Sequence, residues 1–367
     1  EKFRSIPRGT AAGFPYIYDV RDGKKEFFGY AEDRYDLSSD KCATLKARVE
    51  YVLDAAAGGE RLSHVFVDFL KDELRPPHKV EAVATRLISS APLDYTIAWR
   101  IMFGAFGAAL MRNHTVTGMA PGLCVYTEWD LVVQHLTRKG NSGSDGDFEG
   151  FDTKIMPSIL TLLLIYINNW YNDGETNARI RRVLWEDLMF SRHIGGRGTS
   201  KCSLYQWNKS LPSGHPFTTI VNSMYSLVLL VGTYIHVTGD LVGFWDHVSA
   251  LTYGDDNIYN VDEQTRDAYN YVTVRDAMMI CFKMKYTPGN KSGAVVPYTT
   301  LNNLTFLKRG FLCENNWWTC PLELSSFLYN SYWCKNRREQ DKILVDNLEI
   351  ALLELSMHGD ELWNYYS

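Results

Sequence analysis

The sequence predicts an α+β fold, in which short antiparallel hairpins pack against helices, rather than a doubly wound parallel sheet. Two observations carry this. Residues 248–261 read as two short strands around Gly254-Asp255-Asp256, the pattern of a tight hairpin. Helical patterns at 93–112, 158–172 and 213–238 lie on the N-terminal side of it, and others follow. A chain of 367 residues can bury one large core or two to three coupled subdomains.

In chain order, the first 70 residues look mixed and irregular, with Ala12-Gly13-Phe14-Pro15-Tyr16 as a turn-like punctuation. A β-like run, Val65 to Leu70, leads into Lys71-Asp72-Glu73-Leu74-Arg75 and is broken by Pro76 and Pro77. Pro157 suits the first turn of the 158–172 helix. From Ser210 to Gly239 there is no Asp, Glu, Lys or Arg, a length that would cross a bilayer. Ser213, Thr218, Thr219, Asn222, Ser223, Ser226, Thr233 and His236 interrupt it. Ile220, Met224, Leu227, Val231 and Tyr234 recur at helical spacing. A buried helix with one polar stripe is therefore expected, and no membrane span. After the 248–261 hairpin come a helix near 264–282, further strands, and helical patterns at 322–335 and 339–357.

The composition, 46% hydrophobic and 22% charged, is that of an ordinary soluble globular protein. The net charge of −5 argues mildly against a nucleic-acid binder. Placement says more than the sum. Between Arg179 and Lys209 seven Lys/Arg face two acids, and between Arg275 and Arg309 six face one. Acids gather instead at Glu128, Asp130, Asp145, Asp147, Glu149 and Asp152. That division sets an acidic cluster able to hold metal apart from basic stretches able to meet phosphate, although a solvated face accounts for any single run. The seven cysteines contain no CxxC pair, which disfavours a zinc ribbon and fits free thiols in a reducing compartment. No signal pattern and no initiator Met opens the chain, so it is expected to be a fragment or a product cut from a longer precursor.

Two acidic constellations carry the chemistry, Asp147-Phe148-Glu149-Gly150-Phe151-Asp152 and Tyr253-Gly254-Asp255-Asp256-Asn257. Nucleotidyl transfer uses two divalent ions about 3.5–4 Å apart, and magnesium takes hard oxygen ligands. Two acidic clusters on separate strands can supply them. Gly254 permits the turn that puts Asp255 and Asp256 at an exposed tip. Alone, such a hairpin is usually only a turn; with D-x4-D about a hundred residues upstream the signal is much stronger. Between the clusters, Thr218, Asn222 and Ser226 share one helix face. They either recognise a ribose 2′-OH with Asp152, or pack the helix with their side chains bonded to backbone.

Lys71-Asp72-Glu73-Leu74-Arg75, Thr85-Arg86-Leu87-Ile88, the D-x4-D, Ser213-Gly214-x3-Thr218-x3-Asn222, the YGDD and Phe306-Leu307-Lys308-Arg309 occur in one order. In that order they resemble the RNA-dependent RNA polymerase of picornavirus-like positive-strand RNA viruses, over roughly residues 12 to 312. Ala12 to Tyr16 resembles an early fingers segment of the same enzymes. The resemblance implies a right-hand fold: fingers at 1–102 and 156–206, a palm with an antiparallel sheet backed by helices at 103–155 and 207–310, and a partial thumb at 311–367. It implies Mg2+, with Mn2+ as substitute, on Asp147 and Asp255 with Asp256 assisting. Asp152, Thr218 and Asn222 would sense the ribose, with Ser213-Gly214 as a mobile loop near the template. Lys71, Arg75, Lys79 and Arg86 would meet the NTP triphosphate, which a forked guanidinium grips bidentately. A surface strand balanced by Asp72, Glu73 and Glu81 explains those four cations equally. Lys291 matches the lysine proposed as general acid for pyrophosphate, a role worth about 10²–10⁴-fold, and a plain surface lysine fits as well. Tyr253 with Lys308 or Arg309 would hold primer and template. The implied partners are RNA template and primer, NTPs and other viral replication proteins, in host cytoplasm at viral replication complexes.

Two features strain the resemblance. Gly140 to Gly146, rich in Gly and Ser, precede Asp147 where the family has an apolar strand, and both residue types are poor strand formers. Either the strand is short and supported by neighbours, or Asp147 is less firmly placed. Only 70 residues precede Lys71 and 58 follow Arg309, so the N-terminal fingers bridge and part of the thumb are expected to be absent, with longer products once flanking sequence is restored. The rival readings are a reverse transcriptase, disfavoured by Asp152 with Asn222 at the sugar gate, and a nucleic-acid-binding fragment without catalysis.

Overall fold

The computed structural model describes residues 5–31, 33–73, 75, 77–196, 201–289, 295–332, 334 and 339–366. Among them the strands are, in chain order, β1 (Val65–Leu70), β2 (Leu87–Ser90), β3 (Ser142–Phe148), β4 (Arg192–Gly195), β5 (Ser203–Gln206), β6 (Val248–Tyr253), β7 (Asp256–Val261), β8 (Tyr286–Pro288), β9 (Leu312–Glu314) and β10 (Trp317–Thr319). The chain divides into two compact units, Glu1–Arg112 with Gly150–Val221, and Asn113–Glu149 with Asn222–Ser367.

In the first unit the sheet order is β2-β1-β4-β5, with β1 antiparallel to β2 and parallel to β4. Val65, Phe66 and Val67 are buried, as a short apolar run in a central strand should be. The helices Asp40–Ala57, Leu93–Arg112 and Glu175–Met189 belong to this unit. The first of these corrects the expectation of an irregular N-terminal 70 residues. Its apolar residues Leu45, Val49, Val52 and Ala56 follow the helical period and are buried, and Ser39 Oγ caps it by accepting the Cys42 N–H. The unit's centre is aromatic: Trp99 stacks on Phe103 at 4.1 Å and on Trp185 at 5.4 Å, with His215 edge-on at 4.2 Å. His215 Nδ1 accepts the Phe217 N–H, and burial pushes the imidazole well below its ordinary value. It is therefore a neutral core histidine.

In the second unit the order is β6-β7-β3-β8, antiparallel throughout. Leu251 and Ile258 from the hairpin pack with Val132, Leu136, Phe306 and Phe311 in one apolar cluster. The expected hairpin over 248–261 is present. The helix expected near 264–282 begins only at Tyr271, where Asn270 and Thr273 form a reciprocal capping box. Likewise the 322–335 pattern yields only short 3-10 turns at Leu324–Ser326 and Leu328–Tyr332 among the described residues.

The long apolar helix runs Thr218–Thr238, five residues shorter at its start than its pattern suggested. Pro216 explains the difference, since the residue before a proline is pushed out of the helical region. Among the described residues this is the one helix long and apolar enough to cross a membrane, and 61% of its most apolar stretch is buried inside the protein, as in a core helix. Cys42, Cys124, Cys202, Cys281, Cys313 and Cys320 form no disulfide.

Candidate active site

The β6–β7 hairpin closes on the pair Tyr253 and Asp256, leaving Gly254 and Asp255 as a two-residue turn. Gly254 has φ +65°, the geometry that hairpin turns with glycine first require. Its N–H donates to Ser223 Oγ at 2.8 Å, and Thr252 Oγ1 donates to the Ser223 carbonyl at 2.9 Å. The turn is thus tied to a serine that sequence reasoning had treated only as an interruption of the apolar helix.

Strand β3 lies between β7 and β8, with Gly146 opposite Asn257 and Asp147 opposite Thr287. One register step beyond the Gly146 pair brings Asp147 alongside Asp256. The Gly/Ser-rich approach is therefore a full seven-residue strand, bonded along both edges. Asp147 and Asp255 are exposed, and Asp256 is half-buried. Asp256 Oδ2 accepts the Leu307 N–H at 2.7 Å. Burial pushes its carboxyl up to about 7; the Leu307 bond opposes this, while Asp255, Asp147 and Asp145 add to it. The charged groups that act on Asp256 are all carboxylates, and the donors here are the hard oxygens that magnesium prefers. Among the described residues no set of three or more His, Cys, Asp or Glu side chains converges to hold an ion unaided. Magnesium usually takes one or two carboxylates together with substrate phosphates, so the residues present fit such an ion. Asp145, from the same acidic run, is spent structurally: its buried Oδ2 accepts both the Thr305 N–H and the Thr305 hydroxyl.

Phe306 and Arg309 exchange two backbone hydrogen bonds, at 2.9 and 3.0 Å, around Leu307 and Lys308. Both turn residues have positive φ, +58° and +59°. Lys308 sits exposed at the tip. Arg309 does not share that position: its side chain is buried and bidentate to Glu354, at 2.8 and 2.7 Å, with a further bond to the Cys320 carbonyl. Of the two cations expected to hold the primer, only Lys308 faces solvent. Tyr253 is exposed beside the acidic turn.

The other expected residues lie in the first unit, apart from Asn222 and Lys291. Glu73 is the centre of its cation group, bridging Arg86, Lys71 (3.4 Å) and Arg75 (3.7 Å). The Arg86 guanidinium holds the Glu73 carboxyl down to about 2. Lys79 is exposed on the short helix Pro77–Glu81. Ser213 Oγ donates to the Leu87 carbonyl and accepts the Ser89 N–H, and Gly214 bridges Ser90, which fastens this loop to β2. Thr218 Oγ1 donates to the carbonyls of Pro212 and His215, completing the turn that leads into the helix. Asp152 is exposed in a 3-10 turn, Phe151–Thr153, that follows Gly150 in the left-handed region. Asn222 is buried in the first turn and a half of its helix. Lys291 lies outside the described residues.

Sequence reasoning missed Ser223 and Glu354, whose bonds hold the acidic turn and Arg309.

A family model described as "Viral RNA-dependent RNA polymerase" matches residues 1–366. The replicase polyprotein of Acute bee paralysis virus is 33% identical over 390 residues, covering 100% of this chain and 20% of that polyprotein. That of Drosophila C virus is 30% identical over 378 residues, covering 97% and 21%. The chain thus spans about a fifth of the length of these relatives. A solved structure, the Sicinivirus 3Dpol RNA-dependent RNA polymerase, superposes with a TM-score of 0.80 at 21% identity, covering 98% of this chain and 71% of that one. That is the right-hand polymerase fold.

Proposed function

The chain belongs to the viral RNA-dependent RNA polymerases, the RNA-directed nucleotidyltransferases of picornavirus-like replicase polyproteins, and from that premise we propose that it adds NTPs to an RNA 3′ end by a two-metal mechanism in viral genome replication. The observation that carries the reading is the carboxylate edge, where Asp147 and the Asp255-Asp256 turn come from adjacent strands and load Asp256 with negative potential. Magnesium, or manganese in its place, would there activate the 3′ hydroxyl and hold the triphosphate. Asp147 and Asp255 are the principal ligands, with Asp256 in support.

The remaining roles rest on chemistry that each residue can supply. Lys71, Arg75, Lys79 and Arg86 pair with triphosphate oxygens, the first, second and fourth after release from Glu73. Asp152, Thr218 and Asn222 sense the ribose, and Ser213-Gly214 serves as a loop near the template. Lys308 and Tyr253 contact primer and template, and Lys291 protonates pyrophosphate. Residues 1–102 and 156–206 serve as fingers, 103–155 and 207–310 as palm, and 311–367 as a partial thumb. In support, the two compact units change over at 112–113, 149–150 and 221–222. RNA template, primer and NTPs are the partners, together with other viral replication proteins, and host cytoplasm at replication complexes is the setting.

NTP incorporation on a primed RNA, with Asp255→Ala beside the wild type, tests the reading. Removing even an outer partner of a metal ligand costs about 10–100-fold, so losing the ligand itself should leave about one hundredth of the rate or less. Full activity in Asp255→Ala would sink the metal assignment. No incorporation by either protein, with magnesium or manganese, would favour RNA binding without catalysis.

A further inference from the structure

The two halves of the carboxylate edge are held in register by a side chain that carries neither charge nor metal. Asn257 is fully buried. Its Nδ2 donates to two carbonyls, that of Gly146 at 3.1 Å and that of Asp255 at 3.1 Å. The first of these belongs to the residue immediately before Asp147, and the second to Asp255 itself. One amide therefore spans the backbone of both carboxylate-bearing segments.

The orientation of that amide is fixed. Tyr286, on β8, donates its hydroxyl to Asn257 Oδ1 at 2.6 Å. With the oxygen occupied by a donor, the NH2 faces the two carbonyls; a flipped amide would set oxygen against oxygen at both. Tyr286 reaches this place by lying across β3 at Gly146, where any Cβ would overlap its ring and hydroxyl. Its ring is buried between Phe148 and Tyr271, with centroids at 5.1 and 5.7 Å. The missing side chain at position 146 thus makes the room that the tyrosine needs.

We propose that Asn257 and Tyr286 are positioning residues of the active site, which set the spacing of Asp147 and Asp255 by tying both backbones to one oriented amide. This rests on the two-metal reading above. Outer partners that orient metal ligands are commonly worth about 10–100-fold in metal affinity or activity.

The test uses Tyr286→Phe, which removes one oxygen, and Asn257→Asp, which keeps the shape but sets a carboxylate oxygen against the two carbonyls. Mn2+ binding to the RNA-free protein is measured by electron paramagnetic resonance, well below the melting temperature. The half-saturating Mg2+ for incorporation is measured alongside, with Asp255→Asn as reference. Tyr286→Phe should weaken Mn2+ binding and raise half-saturating Mg2+ about tenfold, and Asn257→Asp should do so more strongly. If Asp255→Asn loses Mn2+ while both other variants bind it as the wild type does, with only their melting temperatures lowered, the pair merely stabilises the sheet and the positioning role is overturned. If Asp255→Asn itself binds Mn2+ as the wild type does, the metal reading fails and the positioning role falls with it.

Discussion

Asn222 and Ser223 are consecutive, both buried in the same helix, and do different things. Ser223 spends its hydroxyl on the backbone of the acidic turn, accepting the Gly254 N–H. Asn222, about 100° further round the helix, is the amide proposed to read the ribose. A site that hydrogen-bonds a hydroxyl rejects the analogue lacking it, because the buried group is then left unpaired. Replacing Asn222 with Ala removes that penalty. The ratio of kcat/KM for GTP over dGTP should fall about tenfold, the value of one hydrogen bond of roughly 1.4 kcal/mol. An unchanged ratio would take Asn222 out of sugar selection. The polar stripe was legible from its four-residue spacing. That Ser223 serves the hairpin was not, because its partner is 31 positions away and nothing local marks the pairing.

The Phe306–Arg309 hairpin shows what an element adds to a motif. In sequence Lys308 and Arg309 are two adjacent cations of equal standing. The tight turn sends one to solvent and the other inward to Glu354, whose Oε1 also accepts from the Tyr126 hydroxyl at 2.5 Å. Removing one partner of a buried ion pair strands the other charge. Glu354→Ala should therefore lower unfolding stability by about 3–5 kcal/mol, whereas Arg309→Met with Glu354→Leu should cost much less. Urea unfolding of the two proteins measures both; a double variant as unstable as the single would refute the stranded charge as the cause. Glu354 was unreadable in advance because it is one of several acids in a helical pattern. For β3 the alternative of a strand supported by its neighbours is the one present, and the strand is longer than expected. Gly and Ser argue against a strand by propensity, yet neighbours on both edges and the Tyr286 ring over Gly146 make glycine the residue that fits. The antiparallel hairpin and the apolar helices, set by local turn chemistry and periodicity, were read correctly in kind, with errors at their ends.

Across the whole molecule, the net charge of −5 and the proposed binding of RNA are reconciled by which cations stay at the surface. The basic runs counted from sequence overstate the supply. Arg181 is buried against Asp173, Arg309 against Glu354, and Lys285 and Arg275 pair with Glu149 and Asp276. Arg182, Lys209, Lys283 and Lys308 stay exposed. Each phosphate neutralised on a single strand contributes a slope of about −0.7 in log affinity against log salt. Four to six such contacts give a slope of roughly −3 to −4, so raising salt from about 50 to 200 mM should weaken single-stranded RNA binding about 10²-fold. Fluorescence anisotropy with labelled RNAs of unrelated sequence measures this. Lys308→Ala should make the slope shallower by about 0.7, and it should do so equally for every sequence, since a phosphate contact carries no base information. A salt-independent affinity would mean that RNA is held by stacking and hydrogen bonding, with the uneven charge distribution serving some other end.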